Sequence, residues 1–212
     1  MEILPLGEAA MTLVLGGAIS VATSDRVALA AHWIRATDIA GVTDVVAAYA
    51  SVAVHFDPRI AGYMDLRERI MALDLTRERQ TAEGNDTVTH LIPVTYDGED
   101  LAHVADIAGL TPADVVQIHS AAEYRVLVIG FVPGFAYLGP LDARLTVARR
   151  ASPRRRVPAG SVAIAEAQTG IYPAETPGGW HLLGRTSTVV FDPTQDSPAL
   201  FAVGDHVRFV PA

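Results

Sequence analysis

The chain has 212 residues, a formal net charge of −8 and a 50% share of hydrophobic residues. It holds no cysteine and no lysine, so all 16 basic residues are arginine. That composition is globular. It excludes thiol nucleophiles, disulfides, Schiff-base or biotin-bearing lysines and a Walker-type phosphate lysine. The acidic balance argues against nucleic acid and anionic membranes as partners.

In chain order, residues 9–15 read as a strand. The wider apolar stretch 9–22 lacks a basic leading region and is broken by Thr12, Gly16 and Gly17. It reads as a buried strand and a turn, not an export signal, and the expected compartment is the cytoplasm. No apolar run reaches the roughly 18 residues of a spanning helix. Ser24-Asp25 offers a helix N-cap. Val27, Ala30, Ala31 and Ile34 follow at helical spacing and predict a helix over 25–36. Two valine-rich runs, 45–50 and 52–56, read as adjacent strands. Residues 63–73 read as a helix with Leu66, Ile70 and Leu73 on one face. Strand, helix, two strands, helix is the order of a split βαβ, ferredoxin-like unit. Residues 76–87 are polar and aperiodic, which predicts domains at 1–82 and 83–212.

The second half begins with a predicted strand at 91–96 and a short helix at 100–108. Thr111-Pro112-Ala113-Asp114 is an N-cap with proline at the first helical position, opening a helix to about residue 120. A strongly apolar strand follows at 124–132. From Phe131 onward, short β-rich runs alternate with proline and glycine, the pattern of an all-β barrel or sandwich. The whole reads as an α+β N-terminal domain followed by a mostly-β domain.

Three segments carry candidate chemistry. Arg144, Arg149, Arg150, Arg154, Arg155 and Arg156 form a cationic island with no carboxylate between Asp142 and Glu166. Arginine suits carboxylates and phosphates through planar paired donors. An anion site and pairing with acids from elsewhere are both open readings. The second segment is the turn Pro133-Gly134, flanked by Phe131, Phe135 and Tyr137. It forms either a pocket floor or barrel-corner packing. The third joins Gln168, Thr169 and Tyr172 to Gly178, Gly179, Trp180 and, beyond them, Arg185. Of the histidines, His119 lies on the helix before the apolar strand, where a general base or a structural role would both fit. No metal-ligand spacing and no GxSxG elbow occur.

Residues 130–186 (GFVPGFAYLGPLDARLTVARRASPRRRVPAGSVAIAEAQTGIYPAETPGGWHLLGRT) closely resemble the KipI family, also called allophanate hydrolase subunit 1. The likeness extends to residues 45–58, 92–105, 115–126 and 204–211. It implies a cyclophilin-like β-barrel for the second domain. It implies a role as the B subunit of an ATP-dependent 5-oxoprolinase that opens 5-oxoproline to glutamate. The implied partners are a KipA-like chain (allophanate hydrolase subunit 2, or the 5-oxoprolinase C subunit) and a LamB/YcsF-like chain (the A subunit). ATP with Mg enters at the level of the complex, and no biotin sits on this chain.

By the same resemblance His119, Arg154 and Gln168 are the catalytic candidates. Pro133, Gly134, Phe135, Tyr137, Arg150, Arg156, Thr169, Tyr172, Gly178, Gly179, Trp180 and Arg185 are the candidates for binding substrate or anion. Arg154→Ala is expected to abolish turnover without loss of folding. Two alternatives stand beside this reading: a KipI-like inhibitor of a histidine kinase, and the carboxyltransferase half of an allophanate or urea amidolyase-type system. The chain departs from the family pattern at Glu166, where glycine is usual, at Ala148, where proline is usual, and at Glu8, where aspartate is usual.

Overall fold

The computed structural model describes residues 1–18, 20–77 and 87–212. The chain divides into two compact units, Met1–Asp86 and Thr87–Ala212. The expected boundary at 82/83 and most of the polar stretch around it lie outside the described residues.

Among the described residues, the first unit is a four-stranded antiparallel sheet with two helices. Its elements are β1 (Glu2–Pro5), β2 (Ala10–Val14), α1 (Val21–Ala36), β3 (Val42–Ala47), β4 (Ser51–Phe56) and α2 (Tyr63–Met71). The sheet order is β1-β2-β4-β3, so β4 lies between the two strands that α1 connects. In β4 the buried Val52, Val54 and Phe56 alternate with more accessible Ala53 and His55, the period of a strand with one buried face. Those residues meet Met11 and Leu13 of β2, the stripe Val27, Ala30, Ala31 and Ile34 of α1, and Leu66 and Ile70 of α2. Each large aliphatic side chain buried this way contributes about 1.5–3 kcal/mol.

Two differences from the sequence reading have local causes. Helix α1 starts a turn earlier than residue 25. Its cap is Ser20, whose Oγ accepts the amide of Thr23 at 3.1 Å, while Ser24 is buried inside the helix. Strand β1 is absent from the sequence reading. Only Ile3 of its four residues is buried, so this edge strand shows no alternation to read.

The second unit holds β5 (Thr89–Val94), α3 (Leu101–Ala108), α4 (Pro112–Ala121), β6 (Glu123–Ile129), β7 (Ala136–Gly139), β8 (Arg154–Val157), β9 (Ser161–Ala165), β10 (Gln168–Ile171), β11 (Thr176–Gly178), β12 (His181–Arg185) and β13 (His206–Pro211). Helix α4 has the capping box read from Thr111 and Asp114, with both reciprocal bonds made. Seven strands form one sheet in the order β12-β9-β10-β7-β6-β13-β5, and β8 and β11 form a separate two-stranded ribbon.

The seven-stranded sheet closes on itself. Thr95, just past β5, bridges Arg185 at the end of β12, with amide-to-carbonyl bonds of 2.9 Å in both directions. The chain then continues along β12: the amides of Gly98 and Asp100 donate to Leu183 and Leu182. At this seam two backbones run nearly in contact. A Cβ on Gly98 or Gly184 would lie well under 3.0 Å from backbone atoms of the facing segment. Only glycine fits there. Inside the closed sheet lie Ile92, Val126, Leu138, Val162, Ile164, Val207 and Phe209.

Candidate functional site

A cavity of ≈ 310 Å³ opens on the second unit, floored by aromatic rings. Phe135, 1% exposed, is the hub. Its ring meets Tyr137 at 4.8 Å, Tyr172 at 5.3 Å, Trp180 at 5.4 Å and Phe131 at 5.6 Å, all edge to face. Such pairs hold ring orientations as well as burying area. The β11 end supplies Pro177, Gly178 and Gly179, and the segment before β8 supplies Arg149, Arg150 and Pro153. Gly178 stands against Tyr172, and a Cβ there would collide with the phenol.

The turn between β6 and β7 sets the aromatic floor. The Phe135 amide bonds the Val132 carbonyl at 3.1 Å, with Gly134 at φ +81°, a type II turn on Pro133-Gly134. A side chain on Gly134 would strike Phe191. The strand expected to run to residue 132 stops at Ile129, because Phe131 takes φ +72°. A left-handed conformation is costly for an aromatic residue. Here it leaves Phe131 60% exposed at the cavity.

The arginine island is largely paired. Arg144 holds Asp142 at 2.7 Å, Arg149 meets Glu166 at 3.3 Å, and Arg156 meets Glu175 at 3.3 Å. Arg150 and Arg154 both converge on Asp100 Oδ1, at 2.9 and 2.8 Å, and Arg154 also reaches Glu99 at 3.1 Å. Asp100 is 4% exposed, and its Oδ2 accepts the Leu182 amide at 2.7 Å. Burial alone would raise its pKa. The Arg154 bond, the Leu182 amide and the two guanidinium charges outweigh that and hold the carboxyl below its ordinary 3.8. The barrel seam thus delivers one buried carboxylate to two arginines. Arg150 gives only Nη1 to it and keeps further donors at the cavity, with Nε buried and unbonded.

His119 is elsewhere, fully buried in the barrel interior and stacked on Phe209 at 4.6 Å. Its Nδ1 lies 2.8 Å from the Tyr96 hydroxyl and its Nε2 lies 2.9 Å from Thr169 Oγ1. The Thr169 hydroxyl donates to the Ala163 carbonyl at 3.0 Å. A hydroxyl has one proton, so Thr169 must accept from His119 Nε2–H, and Nδ1 accepts from Tyr96. The imidazole is neutral and fully bonded. Burial pushes its pKa down from 6.5 to about 3. The unfolded chain therefore binds a proton that the folded chain refuses between those values. Stability contributed by His119 is whole above pH 6.5 and falls by about 1.4 kcal/mol per pH unit below it. Thermal melts of the wild type are expected to show this slope between pH 6.5 and 4.5, and His119→Gln to flatten it. An unchanged slope in the variant would remove His119 as its source.

The structure brings seven of the candidates to one cavity: Phe135, Tyr137, Arg150, Tyr172, Gly178, Gly179 and Trp180. Pro133 and Gly134 shape its turn. Arg154 stands behind Arg150 on the shared carboxylate. His119 and Thr169 belong to the barrel interior, and Gln168 is buried at the start of β10. Arg156 and Arg185 are exposed, Arg185 pairing with Asp97 at 2.8 Å. Phe131, one of the aromatics flanking the turn, and Arg149, from the arginine island, also line it, and Pro153 and Pro177 complete the lining. Asp100 could not have been found, since nothing local in the sequence ties it to arginines fifty residues on. Among the described residues no group of three or more His, Asp or Glu side chains could hold a metal ion. No helix among them is long and apolar enough to cross a membrane.

Residues 1–201 match the family model for the carboxyltransferase domain, subdomain C and D. The chain belongs to this family. It is 37% identical to the B subunit of 5-oxoprolinase from Bacillus subtilis, over 99% of this chain and 92% of that one. It is 41% identical to the B subunit of 5-oxoprolinase from Escherichia coli O157:H7, over 97% of this chain and 94% of that one. The solved structure of TTHA0988 superposes with a TM-score of 0.86 at 37% identity over 96% of this chain. The chain spans only 40% of TTHA0988. In TTHA0988 the matched fold is therefore part of a longer chain.

Proposed function

We propose that the chain is the B subunit of a 5-oxoprolinase, acting with partner chains to open 5-oxoproline to glutamate. The near full-length likeness to two proteins of that name carries the reading. The cavity supports it. 5-Oxoproline is a small flat lactam with one carboxylate. An aromatic floor suits the ring, and Arg150, fixed by Asp100, suits the carboxylate. Hydrolysis breaks the lactam C–N bond; the hydroxyl of water goes to the carbonyl carbon and its proton to the nitrogen. What this chain contributes is binding, orientation and exclusion of water around the ring. The partners are a KipA-like and a LamB/YcsF-like chain, and the compartment is the cytoplasm. The β1-β2-β4-β3 sheet order supports a ferredoxin-like first unit, and the closed seven-stranded sheet supports a cyclophilin-like second unit.

ATP, with Mg as its counter-ion, enters this reading at the level of the complex. The two cations that line the cavity, Arg149 and Arg150, each face a carboxylate.

Co-expression with both partners should yield ATP-dependent release of glutamate from 5-oxoproline. Trp180→Ala is expected to weaken the apparent affinity for 5-oxoproline about tenfold or more, the loss of one aromatic wall. Three folded chains that release no glutamate would refute the assignment.

A further inference from the structure

Glu166 sits at φ +54° in the turn between β9 and β10. That backbone region favours glycine, and a carboxylate side chain gains nothing from it. Its amide bonds the Val147 carbonyl at 2.6 Å, a contact that glycine would make equally well. The carboxylate's partner is Arg149 Nε at 3.3 Å, with both side chains more than half exposed. Exposed pairs of this kind return little stability. The strain of a left-handed glutamate is therefore not offset by what its pair gives the fold. What Glu166 does alter is the charge available at the cavity, because Arg149 lines it. Arg149 also lies near enough to Tyr137 and Tyr172 for its charge to lower both phenol pKa values, against burial, which raises them more.

The other guanidinium of the cavity is only half compensated. Arg150 shares the single carboxylate of Asp100 with Arg154. The second acid on Arg154, Glu99, is 75% exposed and Glu166 is 59% exposed, so solvent screens both. Of the two guanidiniums that line the cavity, Arg149 faces Glu166 and Arg150 shares Asp100 with Arg154.

We propose that Glu166 is a charge-selecting residue: by occupying Arg149 it limits the cavity to small ligands with one negative charge, such as a cyclic amide carboxylate, and turns away polyphosphates. The substrate half of this statement rests on the 5-oxoprolinase reading; the charge selection does not.

The test uses the fluorescence of Trp180, made the sole tryptophan of the full chain by Trp33→Phe. Two probes are titrated, 5-oxoproline and inorganic tripolyphosphate. In this parent, tripolyphosphate binds more weakly than 5-oxoproline. Glu166→Gln, which keeps the backbone and removes the charge, tightens tripolyphosphate about tenfold and 5-oxoproline less than threefold. Adding Arg149→Gln abolishes the gain. An unchanged tripolyphosphate affinity in Glu166→Gln overturns the proposal, and so does a gain that survives loss of Arg149. A parent that ignores 5-oxoproline, with the Glu166 effect intact, overturns the substrate reading and upholds charge selection.

Discussion

Replacing Asp100 with alanine is expected to destabilise the second unit by about 3–5 kcal/mol, a fall of about 10 °C in melting temperature. The size follows from what is left behind. Arg150 and Arg154 lose the buried carboxylate that neutralises them, and the Leu182 amide loses its acceptor. Exposed pairs such as Arg156–Glu175 and Arg185–Asp97 are worth about 0–1 kcal/mol, so their removal is expected to shift the melt little. The contrast separates the anchor from the decoration. Asp100→Asn keeps an acceptor for Leu182 and should fall between the two. Asp100 also sets an acid limit. Its folded pKa lies below the ordinary 3.8, so its stabilisation is complete above that value and is lost as pH falls through the folded one. Thermal denaturation by circular dichroism checks both. A melt within about 2 °C of the wild type for Asp100→Ala would show that the carboxylate anchors nothing. The same geometry revises the expectation for Arg154→Ala: it should lose stability together with turnover, since Arg154 is half of the cation pair on Asp100.

Gly184→Val and Gly98→Ala are each expected to cost about 1–3 kcal/mol or more, because the clash is with backbone that cannot rotate away. The effect reaches the cavity through one route. Opening the seam stretches the bonds between the Asp100 segment and Leu182, and the arginine anchor moves with it. Seam and anchor substitutions should therefore couple. A double-mutant cycle of Gly184→Ala with Asp100→Asn is expected to deviate from additivity by about 0.5 kcal/mol or more. Strict additivity would disconnect the barrel closure from the cavity.

What the sequence makes legible follows from range. The α4 cap is written in four consecutive residues, Thr111 to Asp114, and needs no tertiary knowledge. The stripe of α1 is equally local, although the sequence reading places its cap at Ser24 and the helix is capped one turn earlier, by Ser20. The aromatic floor could be nominated because Phe135, Tyr137, Tyr172 and Trp180 crowd the punctuation of a β-rich segment. The arginine island could be seen, but its partners could not. Asp100 and Glu99 come from a turn before α3, and the approach of that turn to β12 depends on Gly98 and Gly184, each set against backbone of the facing segment. His119 carried a motif position yet proves to be an interior group. Phe131 looked like strand, and only the backbone shows it turned out of the sheet.

The strand order of the second unit also fixes when it can form. Strand β13, the last in sequence, lies between β5 and β6, the first two strands of the unit. A nascent chain carrying everything up to residue 205 lacks the strand that joins them. The first unit has its own sheet and core, so it can fold while the second is still being made. On the ribosome this protein should pass through a long interval with one finished unit and one open sheet. During that interval the edges of β5 and β6 are exposed to other chains.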